Sequence, residues 1–188
     1  MSDKLYEYYE ESSGSLSVHD DTWGAQLFTV GTVGDNEKHI ITKVTLNLFR
    51  FGGNLPGIIT ASIRSVVAGK PSGPDHCVGT TDGDTIIGSE WRDFLMLPAY
   101  ELQTGTQYAI VVRALTADGA NAIYWQVRVL TGSYAGGYMC DSGNAGGFWS
   151  KYLTYDLMFR EYGPSLPANP LIGKPLISPD IIKKAIIR

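Results

Sequence analysis

Charge is scarce in this chain, and neither sign dominates. Charged residues make up 18% of the sequence, with 15 Lys and Arg against 19 Asp and Glu and a formal net charge of −4. A nucleic-acid-binding surface needs basic residues gathered on one face, so DNA and RNA are excluded as expected partners. Cysteine is almost missing, and Cys77 and Cys140 cannot supply a disulfide framework. Whether the two pair or stand as independent thiols depends on how the fold places them. No stretch approaches the roughly 18 apolar residues of a membrane-spanning helix, so no membrane span is expected. The opening Met1-Ser2-Asp3-Lys4-Leu5-Tyr6 lacks a basic region followed by an apolar run. It predicts no signal peptide and a protein that begins in a cytoplasm.

Catalytic and metal-binding constellations are equally sparse. His19, His39 and His76 stand apart in separate polar segments and read as surface-loop histidines, without the paired His or Cys spacing of a zinc site. No Gly-x-Ser-x-Gly nucleophile turn or phosphate-cradling glycine loop is present. Asp82-Gly83-Asp84 offers the alternate carboxylates of half a calcium loop, but Gly88 and Ser89 stand before Glu90 where later ligands would be needed. A hairpin turn explains it more simply. Glu90, Asp93, Asp141 and Asp156 are enough carboxylates for a glycosidase pair, yet nothing singles out two of them. Asp156, inside a predicted strand, reads as a structural hydrogen-bonding group. The expectation is no enzyme, no catalytic residue, no metal and no cofactor.

What the chain does have is turn residues and aromatics. Twenty-two Gly, nine Pro and 11% aromatic residues describe short strands joined by many turns. Val44, Leu46 and Leu48 alternate with Thr45 and Asn47, and Ile59, Ala61 and Ile63 alternate with Thr60 and Ser62. Each run is a strand with one wet face. The segment 52–57 between them reads as a loop joining neighbouring strands. Further strands are expected at 91–97, 108–114, 123–130 and 154–161, and no helix-length periodic segment lies among them. The fold expected is all-β, an antiparallel jelly-roll β-sandwich over 24–163 with an extended Pro-rich C-terminal arm. The polar N-terminal segment 1–23 either adds an edge strand or lies over the body.

The arm, 164–188, has a composition of its own. Pro164, Pro167, Pro170, Pro175 and Pro179 forbid a central strand and favour an extended path. Ser178 before Pro179 and Asp180 caps a short terminal helix, too short to be stable without a surface to lie on. Leu171, Ile172, Leu176, Ile177, Ile181, Ile182 and Ile186 are the expected anchors of an assembly arm. With Lys174, Lys183, Lys184 and Arg188 against Asp180, the arm carries +3, which leaves −7 on the remainder. It is suited to its own body or to a neighbouring copy.

The ordered segments Pro71-Ser72-Gly73, Gly79-Thr80-Thr81-Asp82-Gly83, Leu102 to Val112, Tyr134-Ala135-Gly136-Gly137 and Asp156 to Gly163 look familiar together. They resemble the jelly-roll, carbohydrate-binding-module-like domains of phage and bacterial surface proteins, including the group called choice-of-anchor domains. The resemblance covers 24–163 and implies a β-sandwich accessory or adhesion module. It fixes no ligand, because ligand choice lives in loops. The first expectation is a virion structural accessory protein, a phage capsid decoration or fibre-like component. It would assemble in the host cytoplasm and dock through its arm on a capsid protein, another virion protein or other copies of itself. The alternative is an adhesion module for cell-surface glycan. Its candidates are Tyr138, Asp141, Asn144 and Trp149, because sugars are held by flat aromatic faces beside polar groups. Packing of these aromatics under the Gly-rich loop or at a subunit contact is the competing reading.

Overall fold

Period-two patterning has its physical counterpart in strands whose alternate side chains enter a common core. The computed structural model describes residues 3–51 and 53–164. The arm anchors Leu171, Ile172, Leu176, Ile177, Ile181, Ile182 and Ile186, and the expected terminal helix, lie outside the described residues. In chain order the strands are β1 (Asp3–Tyr9), β2 (Gly14–Val18), β3 (Trp23–Thr29), β4 (His39–Phe49), β5 (Ile58–Val67), β6 (Lys70–Asp82), β7 (Glu90–Leu102), β8 (Gln107–Arg113), β9 (Ile123–Arg128), β10 (Met139–Ser142), β11 (Ser150–Tyr152), β12 (Asp156–Leu157) and β13 (Phe159–Pro164). The described residues contain no α-helix, only a 3-10 turn at Gly83–Thr85.

Every strand pair is antiparallel. One layer runs β1-β13-β4-β7, with β9 beside the end of β4 and carrying β2 and β12. The other runs β6-β5-β8-β3-β10-β11, and the two join where Val78 of β6 pairs with Leu97 of β7. The fold is an all-β antiparallel sandwich of jelly-roll type. Leu46, Leu48, Phe94, Trp125 and Phe159 from the first layer meet Phe28, Ile59, Ile63 and Ile110 from the second, all fully buried. At roughly 1.5–3 kcal/mol for each large apolar side chain removed from water, this interlayer contact dominates the stability.

Three local expectations change. The loop before β5 does not join neighbours, because one edge of β4 is taken by β7 and the other by β13 and β9. The chain therefore crosses the open end of the sandwich to reach β5 in the opposite layer. The run 154–161 is not one strand: Met158 interrupts it, donating its N–H to Gln126 O (2.9 Å) and accepting from Trp125 Nε1 (2.8 Å). Below the break β12 pairs with β9, and above it β13 enters between β1 and β4. The N-terminal segment supplies both β1, the edge strand beside β13, and β2, the partner of β9.

Candidate functional site

The outer face of the β3-β8-β10 layer carries a second, smaller apolar layer. Ala25, Leu27, Ala109, Val111 and Cys140 lie on the face opposite the main core, and Trp23 and Trp149 close over them. The loop between β10 and β11 folds back to make this cover. Asn144 shapes it, its Oδ1 accepting from Phe148 N (2.8 Å) and Ser142 Oγ (3.0 Å). Gly146 sits at φ +82°, where a Cβ would stand 3.0 Å from the Trp23 ring, so conformation and space both require glycine.

This settles where the four expected glycan contacts lie. Trp149 is only 4% exposed and offers no ring face to a ligand. Tyr138 packs beside it and donates its hydroxyl to Gly69 O (3.0 Å). Asp141 accepts from Tyr152 (3.0 Å), and Asn144 is exposed but spent on its own loop. The fold brings Tyr138 and Trp149 together as packing. The solvent-facing ring of the stretch is Phe148, which sequence reasoning passed over, with Lys70 Nζ 4.4 Å from its centroid.

The buried ionisable groups are committed to holding the chain. His39 is not in a surface loop: it opens β4, fully enclosed, with Nδ1 3.0 Å from Glu37 O and Nε2 2.9 Å from the buried Glu161 carboxylate. Tyr6 stacks on its ring at 3.6 Å, and the Tyr6 hydroxyl, pushed up to about 12 by burial and its bond to Glu37, shares its one proton between Glu37 Oε1 (3.0 Å) and Pro164 O (3.2 Å). Burial works against the His39 imidazolium, but the Glu161 carboxylate and the Glu37 carbonyl outweigh it and raise its pKa. Burial raises the pKa of Glu161. His76 is also no free loop residue; it lies in β6, stacked on Tyr100 at 4.3 Å and bonded to Ser65 Oγ (2.8 Å).

Asp156 fills the structural role its strand position implied. It accepts from Tyr134 N (3.0 Å) and Gln26 Nε2 (3.2 Å), and burial raises its pKa. Glu7 accepts from the successive N–H groups of Gly31 and Thr32 (2.8 Å each) and from Val33 N and Tyr134 OH. Sequence reading missed Glu7, though a carboxylate flanked by Tyr6, Tyr8 and Tyr9 was a visible anomaly. Asp82 and Asp84 accept backbone N–H groups at a 3-10 turn, not a two-residue hairpin, because β6 and β7 diverge there into different layers. Cys77 lies in the main core and Cys140 under the outer layer, unpaired, both thiols pushed up to about 12 by burial.

A depression among the described residues is open to a ligand. It encloses about 370 Å³ and is lined by Tyr8, Tyr9, Glu10, Glu11, Thr32, Val33, Ser133, Tyr134 and Ala135. Tyr8 is its exposed ring, and the buried Tyr9 hydroxyl has no hydrogen-bond partner among the described residues. Glu10 is held by Arg160 (2.6 Å), whose guanidinium stacks 4.0 Å over Trp91. No model of a protein family matches the chain, and no curated protein matches it.

Proposed function

We propose that this protein is a non-enzymatic structural accessory of a virion, a capsid decoration or fibre-like component that displays its sandwich and docks through residues 165–188. The observation that carries the reading is the placement of β13. It is hydrogen-bonded on both sides, to β1 and to β4, and its last residue, Pro164, accepts from Tyr6. Antiparallel hydrogen bonds lie across the strand, so a pull on residue 165 loads all of them together in shear. The arm is thus rooted in the interior of a sheet, as a load-carrying tether requires. Its spaced apolar pairs suit β-augmentation or groove binding, and its +3 charge opposes the −7 of the remainder. The commitment of Glu7, Asp156, His39 and Glu161 to structural bonds supports binding over catalysis.

The test is truncation after Pro164, which keeps the Tyr6 bond. The shortened protein is expected to keep the β-sheet circular-dichroism spectrum and melting temperature of the full chain, and to lose self-association and attachment to particles. Unchanged assembly sinks the reading.

The depression beside Tyr8 favours a second reading, a glycan-binding adhesion module with its site there. Tyr8 offers an apolar face, Glu10, Glu11, Thr32 and Ser133 offer polar groups, and the volume lies within the usual range for small-ligand sites. Retention on a glycan array that disappears in Tyr8→Ala is the expected outcome.

A further inference from the structure

The two ends of the sandwich differ in chemistry. At one end β13 delivers the chain out of the sheet at Pro164, with Gly163 lying against His39 and Ile40 at the start of β4. At the other end, beyond Phe49, three loops meet. Arg50 binds the carbonyls of Asn54, Asp84 and Ile86; Thr116 Oγ1 donates to Pro56 O (3.2 Å); and Gly57 N donates to Asp84 Oδ1 (2.8 Å). These loops hold large apolar side chains out to solvent: Phe51, Leu55, Ile87 and Leu115 are 58–84% exposed. Asp82, Asp84 and Asp118 stand among them, and none forms a salt bridge among the described residues.

We infer that residues 165–188 of one copy dock on this loop tip of a second copy, so that the protein associates head to tail. The inference rests on the arm being the docking element. The tip is apolar and carries Asp82, Asp84 and Asp118 beside Arg50, whose guanidinium is held by three backbone carbonyls, and the arm is apolar with four cations against Asp180, so the two surfaces are complementary in apolar character and in the sign of their excess charge. Reach favours a neighbour's tip for the first anchor pair, while Leu176 and Ile177, 12 and 13 residues beyond Pro164, are long enough for either tip. The ends lie apart by the length of β4 from His39 to Phe49, about 33 Å at the rise of an antiparallel strand. Ile172 is eight residues beyond Pro164, and eight residues fully extended span at most about 28 Å. The first anchor pair, Leu171-Ile172, therefore falls short of its own tip, whereas a neighbour's tip brought to the exit end is within reach of every pair. Such a contact joins different surfaces on the two partners and propagates into rings or filaments.

Full-length chains in sedimentation velocity over a concentration series test this. A tip variant carries Leu55→Ser, Ile87→Ser and Leu115→Ser, all exposed positions, with an unchanged melting temperature as the control for folding. An arm variant carries Leu171→Ser, Ile172→Ser, Leu176→Ser and Ile177→Ser. The wild type is expected to gain mass with concentration and each variant alone to stay monomeric. A one-to-one mixture is expected to stop at dimers, since it pairs one good arm with one good tip. A tip variant that associates like the wild type, or a mixture that stays monomeric, overturns the head-to-tail contact. A wild type that is monomeric throughout also overturns it. An arm variant that associates like the wild type overturns the arm as docking element as well.

Discussion

At the residue scale, the His39–Glu161 pair has a proton count that geometry imposes. Both imidazole nitrogens face acceptors, so the pair holds one proton beyond a neutral ring and an ionised carboxylate, however the two share it. The folded His39 pKa lies above the unfolded value of about 6.5, so this stabilisation is complete below that value and is lost as pH rises through the folded pKa. Urea midpoints are expected to fall as pH is raised above about 6.5, and Glu161→Gln is expected to flatten that dependence. An unchanged slope in the variant would place the titration elsewhere. Trp149 and Tyr8 divide in a related way. Trp149→Ala opens a hole under the outer apolar layer and is expected to cost about 3–5 kcal/mol in denaturant unfolding while leaving any glycan retention intact. Tyr8→Ala, at a half-exposed position, should leave the melt nearly unchanged and remove that retention. The reverse pattern would return the glycan site to the 134–149 loop.

At the scale of elements, loops are fastened to strands by buried carboxylates, and Glu7 is the clearest case. Its position on β1 lets one side chain accept from three consecutive backbone N–H groups of the β3–β4 loop and from Tyr134 OH. Gly34 presses the same loop onto β1 so closely that a Cβ there would overlap Tyr6 O. Glu7→Ala leaves these donors buried without an acceptor, at about 1–3 kcal/mol for each that water does not reach. The expected result is a stability loss above about 3 kcal/mol, together with faster hydrogen exchange at Gly31, Thr32 and Val33 than at the β4–β7 ladder. Uniform acceleration across the protein would mean that Glu7 serves the global fold and not this loop. β13 belongs to the same scale: the break at Met158 moves the chain from pairing with β9 to the slot between β1 and β4, which roots the arm.

For the whole molecule, charge and apolar surface are distributed unevenly, and the balance between them sets the salt response of assembly. In the proposed contact, seven large aliphatic anchors stand against four cations, so it would be mainly hydrophobic, and salt would screen only the charged part. Raising sodium chloride from 0.15 to 1 M is expected to weaken association about tenfold, as screening of three exposed ion pairs at roughly 0.5 kcal/mol each gives. Sedimentation at the two salt concentrations reads this directly. A thousandfold loss would make the contact electrostatic and the apolar tip incidental.

The sequence by itself determined the all-β class and marked β4, β5, β7, β8 and β9, because alternation such as Val44, Leu46, Leu48 is a local property that any half-buried sheet needs, but it did not mark β2, β3, β6, β10 or β11. It also marked the change of composition at Pro164, although Pro164 still pairs with Asp3 as the last residue of β13. Only tertiary structure decided which strands are neighbours, since β4 finds its partners far along the chain in β7, β9 and β13. It alone decided that the sandwich has a second apolar layer outside its main core, which turns Trp149 from an expected sugar platform into packing. His39 became a buried ion-pair member for the same reason: its partner Glu161 is 122 residues away, and local sequence carries no signal for such a contact. A strand's hydrophobic period states that one face is buried, but what covers the other face is settled by distant segments that return to it.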